Sequence, residues 1–157
     1  MSNDKSYTQK VAGIGFFGGL FVSILSYVAH FFHFTKVGPA IAMDPWALAE
    51  WKSTYLGHIA GILFISIISL GLTLLVRAAL QEIESIWPGL CFGLILWLIV
   101  FYLLHPVFPN LPPVERLGSA TITTTICLFV LYGIFIGYSI SYEYNEIKRE
   151  RDHSTQK

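Results

Sequence analysis

Charge is missing from most of this chain, and the gaps are long. The ten basic and ten acidic residues fall in five islands: Asp4–Lys10, Lys36–Lys52, Arg77–Glu84, Glu115–Arg116 and Glu143–Lys157. Between them lie four charge-free windows, Val11–Thr35, Ser53–Val76, Ser85–Val114 and Leu117–Tyr142. The shortest, Ser53–Val76, has 24 residues, and about 20 apolar residues in a helix cross a hydrocarbon core. A soluble helix keeps a polar face, whereas these windows are apolar on every side. A mean hydropathy of +0.61 agrees, and a soluble globular fold is excluded. Period-two alternation is also lacking, which removes a membrane β-barrel.

Cysteine is scarce. Cys91 and Cys127 both lie inside apolar windows with no CxxC spacing, so no disulfide framework is expected and both read as reduced packing residues. No Asp, Glu, Lys or Arg stands within a window, yet proton-coupled transport usually uses an intramembrane carboxylate. Small four-helix multidrug exporters depend on a glutamate in their first helix, and this first helix has none. Zinc-protease, phosphate-loop and nucleophile motifs are absent, so the expectation is a protein that is not an enzyme and carries no cofactor. A net charge of zero, with no basic stripe, argues against nucleic acid as a partner.

What is present predicts an all-α polytopic membrane protein, four transmembrane helices in one compact bundle. The spans are placed near Val11–Phe34, Tyr55–Val76, Ile86–Leu104 and Ser119–Tyr142. The first apolar run is too long for a signal-peptide core and no Ala-x-Ala site follows, so it is read as a retained span. HPVFPNLPP, His105 to Pro113, removes amide donors and should end the third helix near Leu104. Ser85 is a candidate cap for that helix, with Pro88 in its first turn. DPWALAEWK reads as a short interfacial helix capped by Asp44. Residues 143–157, with mixed charge, read as a solvated cytoplasmic extension of the fourth helix.

Four spans put both termini on one side. That side collects Lys5, Lys10, Arg77, Lys148, Arg149, Arg151 and Lys157, against Lys36, Lys52 and Arg116 opposite. The positive-inside rule then predicts cytoplasmic termini in the plasma membrane. Trp46, Trp51, Tyr55 and Tyr102 fall at the expected outer interface, and Trp87, Tyr138 and Tyr142 at the inner one.

All glycines but Gly38 and Gly118 lie in the spans, and each helix has one Gly-x-x-x-Gly pair: Gly15/Gly19, Gly57/Gly61, Gly89/Gly93 and Gly133/Gly137. Such spacing lets a neighbouring backbone approach closely, and packing within the bundle is the expected use rather than a dedicated dimer interface. Thr121, Thr123, Thr124 and Thr125 can bond their own preceding carbonyls. His30, His33, His58 and His105 share the outer level, and His30 and His33 are expected on roughly one helix side. They are candidate zinc or copper ligands or pH-sensing groups. Without a cysteine or carboxylate at ligand spacing, the favoured reading is interfacial histidine ending an apolar helix, with no metal bound.

The segments GGLFVSILSYVAHFFHFTKVGP, WPGLCFGLILWLIVFYLLHPVFPNL and TTTICLFVLYGIFIGYSISYEYNE, with the DPWALAEWK loop, resemble the YqhR-like membrane proteins of spore-forming Gram-positive bacteria. The resemblance runs from about Gly18 to Glu146 and implies a four-helix protein of the cytoplasmic membrane. It supplies no catalytic residues. The resulting expectation is a non-enzymatic structural or accessory subunit, with the lipid bilayer and a second copy or another membrane protein as partners. The alternatives are an oligomeric small-solute or ion transporter, and a histidine-based metal-binding or pH-sensing membrane protein.

Overall fold

A computed structural model describes residues 2–43, 55–80, 86–108 and 111–155. The structure is all-helical, a four-helix membrane bundle. Helix α1 runs Ser2–Phe31, α2 Tyr55–Leu80, α3 Ile86–Leu98 and α4 Ser119–Thr155. Stretches within α1, α2 and α4 are long and apolar enough to cross a membrane, and Trp87–Leu103 forms a shorter apolar helix. The proposed caps and surface helix at Asp44, Trp46, Trp51 and Ser85 lie outside the described residues.

Helix α3 widens into a π turn, Ile99–Leu103, whose last bond runs from the Leu104 N–H to the Ile99 carbonyl at 2.9 Å. Pro106, which has no N–H to continue a helix, follows within a short 3-10 turn, His105–Val107. The helix therefore ends where the proline-rich segment begins.

Helix α1 departs from the expected Val11–Phe34 at both ends. It starts nine residues earlier because α4 continues alongside it. Lys10 pairs with Glu143, and the Tyr7 and Tyr144 rings lie 6.1 Å apart. Arg77, near the end of α2, donates to the Thr8 hydroxyl at 2.6 Å. The charged ends of α1, α2 and α4 thus gather at one end of the bundle. At its other end α1 stops at Phe31 in a Schellman-type closure: the His33 N–H bonds the His30 carbonyl at 3.0 Å and the Phe34 N–H bonds the Ala29 carbonyl at 2.9 Å.

Helix α1 packs against α2 and α4, and α4 packs against α3, whereas α2 and α3 form no packed face among the described residues. Seen end on, the order is α2, α1, α4, α3. Lipid tails are as apolar as leucine, so helix association here rests on close van der Waals contact and hydrogen bonds. Two seams of small residues provide the contact. A Cβ on Gly15 would lie 2.7 Å from Thr73 Oγ1, and one on Gly19 would meet Ser69 and the Ser66 Cα, the latter at 3.0 Å. Across the α3–α4 seam a Cβ on Gly89 would lie 2.7 Å from the Gly133 carbonyl oxygen, and one on Gly137 would lie 2.9 Å from the Gly89 Cα. Gly93 likewise abuts the Phe129 carbonyl. Gly61 faces the Pro39 carbonyl, and Gly57 is buried. Val11, Ile136 and Ile140 are fully enclosed between α1 and α4.

Cys91 and Cys127 do not pack in the bundle as the sequence suggested; both are exposed on its outer surface. Each lies two positions past a seam or buried residue, Gly89 or Thr125. Two residues are about 200° of rotation on a helix, which turns the thiols outward.

Candidate functional site

The four histidines His30, His33, His58 and His105 do not behave as a set. His33 adopts a left-handed backbone, φ 64°, and is exposed. It occupies the position where helix ends favour glycine, so it does not share a helix face with His30. His30 turns inward, its Nδ1 3.1 Å from the Thr35 carbonyl oxygen, which makes Nδ1–H the donor. Its ring stands 5.5 Å from that of His58, centroid to centroid, and the Tyr27 ring lies tilted at 58° with its centroid 5.0 Å from that of His58. Gly38 closes over this pair: a Cβ there would lie 3.0 Å from the His30 ring and 3.3 Å from His58 Cε1. His105 sits at the end of α3. The geometry brings together two imidazoles rather than four. Among the described residues, no three His, Cys, Asp or Glu side chains are grouped to hold a metal ion.

Deeper in the bundle, hydroxyls form a relay that sequence reasoning did not single out. Ser69 Oγ donates to the Gly15 carbonyl at 2.6 Å, so the Tyr132 phenol, 2.6 Å from the same oxygen, is the donor to it. Three helices, α4, α2 and α1, are tied by these two bonds. A second tie joins α3 to α4: the Trp97 indole N–H donates to Thr125 Oγ1 at 3.1 Å. Thr125 in turn donates to the Thr121 and Ile122 carbonyls at 2.9 and 3.0 Å, the back-bonding that its position in a helix suggests. Thr121 Oγ1 also accepts from the Lys36 N–H at 3.3 Å, fastening the α1–α2 connection onto α4.

Between these ties lies an apolar cavity of about 260 Å³. It runs from the Ser69–Tyr132 pair toward the linkers at Val37–Gly38 and Phe108. The sequence could not show it, because it depends on which helix pairs fail to touch.

The family comparison covers this whole arrangement. The model for the conserved membrane protein YqhR matches residues 2–155. The chain belongs to the YqhR family. Consistent with that, it is 44% identical over 146 residues to the uncharacterized protein YqhR of Bacillus subtilis (strain 168), covering 93% of this chain and 82% of that protein. No solved structure matches. The YqhR match makes the chain a member of a conserved membrane protein family, in agreement with its apolar helices.

Proposed function

We propose that this YqhR-family protein is a non-enzymatic accessory subunit of the bacterial cytoplasmic membrane, crossing it four times with both termini inside. The observation that carries this reading is how the interior polar groups are used. The Ser69, Thr125 and Tyr132 hydroxyls are committed to bonds between helices or to helix carbonyls, and Gly15, Gly19, Gly89, Gly93, Gly133 and Gly137 to helix seams. Such an interior holds helices in place, and its working surface is the outside. The lysine and arginine bias supports the orientation, as does the gathering of Lys10, Arg77 and Glu143 at one end.

The outward face carries large apolar side chains along its length, including Phe17, Ile67 and Leu75. In this reading they meet lipid over most of the bundle and a second copy or another membrane protein over the rest. Photoreactive residues at Phe17, Ile67, Leu75 and Tyr102, irradiated in native membranes, test it. A discrete protein adduct from one face, the same in replicate preparations, is expected. Adducts to lipid alone at all four positions, together with ion or solute flux in proteoliposomes, would replace it with the transporter reading.

A further inference from the structure

We propose that the cavity between α2 and α3 is a binding site for a neutral lipid that leads with one hydrogen-bonding oxygen and trails a hydrocarbon tail. The cavity is walled at the back by α1 and α4 and flanked by α2 and α3. Because α2 and α3 do not pack on each other, it opens sideways at membrane depth, past the half-exposed Ile68. Its α2 lining runs from Ile65 to Leu72 and its α3 lining from Leu96 to Leu104, a height of about 10–12 Å along the helices.

The chemistry of the wall selects the occupant. Among the described residues no charged side chain lines the cavity, so a phosphate or carboxylate would enter uncompensated. Most of the lining is aliphatic or aromatic. Hydroxyls line it on α1, α2 and α4, and those of Ser69, Tyr132 and Thr125 are spent: Ser69 on Gly15 and Tyr132, and Thr125 on helix carbonyls and Trp97, while Ser26 on α1 also lines the cavity but is not fully buried. Ser23 differs. It lines the same wall, is only 2% exposed, and its Oγ has no hydrogen-bond partner among the described residues. A buried hydroxyl left unpaired is costly, which favours any ligand that completes it. A neutral carbonyl or hydroxyl oxygen reaching Ser23 meets the requirement, while the volume is too small for a whole lipid. The tail must therefore leave between α2 and α3 into the bilayer. A lipid-soluble quinone and a diacylglycerol share this chemistry.

Trp97 reports on the site, being buried and bonded or stacked to two lining residues, Thr125 and Phe101. In a variant with Trp46, Trp51 and Trp87 changed to Phe, quenching is measured in nanodiscs with a fatty alcohol brominated in mid-chain. The matched bromoalkane lacks only the oxygen. Saturable quenching by the alcohol is expected, with the alkane about three- to tenfold weaker, the range of one net hydrogen bond. Ser23→Ala should erase that difference. Ala42→Phe, which fills the cavity, should abolish saturable quenching; if that variant melts earlier than its parent, Ser23→Ala alone decides. Displacement by a decyl-substituted benzoquinone or by diacylglycerol identifies which neutral lipid fits. Quenching that never saturates, or is equal for alcohol and alkane, or is unchanged by Ser23→Ala, overturns the proposal.

Discussion

Adding one methyl group to Gly133 should loosen the α3–α4 half of the bundle. A Cβ there would lie 2.6 Å from the Gly93 backbone nitrogen and 2.7 Å from its Cα, and it would also run into the Gly89 carbonyl. These neighbours are main chain and cannot rotate away. Restoring ordinary contact, about 3.5 Å or more, requires the helices to separate by about 1 Å or more. Overpacking of this kind costs about 1–3 kcal/mol. The gain in helix propensity from glycine to alanine, at most about 1 kcal/mol in water, offsets only part of it. Gly71 supplies the control, because a Cβ there meets nothing within 4 Å. Unfolding by denaturing detergent, followed by circular dichroism, should therefore separate Gly133→Ala from Gly71→Ala, with only the first destabilised. Replacing both Gly133 and Gly137 with Leu should further reduce folded yield. Equal stability of the two alanine variants would refute the seam as a close backbone contact.

Removing the phenol in Tyr132→Phe should cost about 0.5–1.5 kcal/mol in the same assay, since one net hydrogen bond between α4 and α2 is lost. His33→Gly should be neutral or stabilise by about 1 kcal/mol, because glycine adopts φ 64° without the penalty a side chain incurs; a loss of that size would contradict the helix closure. Elemental analysis of untagged protein should find no stoichiometric zinc, and zinc that disappears in His30→Ala would reinstate the metal reading. Reporter fusions after Lys157 and near Pro112 should report opposite sides of the membrane, and both on one side would end the four-span topology.

The helices were legible because charge and proline mark them from one dimension alone. Proline-rich HPVFPNLPP places the end of α3 at Leu104, where the π turn closes. The start of α1 was not legible: Asp4 and Lys5 look like a loop until α4 runs past them and gives Lys10 its partner Glu143. His33 was misplaced because nothing in its own sequence marks a left-handed residue; glycine would have. The cysteines were within reach, since their two-residue offset from Gly89 and Thr125 carries the outward direction.

The gap between α2 and α3 follows from where the small residues were placed. Helix α2 presents Ser66, Ser69 and Thr73 to α1, and α3 presents Gly89 and Gly93 to α4. Each outer helix thus uses its small-residue face on a different partner. The sides that look toward one another carry Ile65, Ile68 and Leu72 against Leu96, Val100 and Leu104. Branched side chains on both walls hold the backbones apart, and in a bilayer no hydrophobic force draws them together. The cavity is what remains when each hairpin closes on its own seam and the two hairpins meet chiefly along α1 and α4, with the Ser69–Tyr132 bond as a further tie.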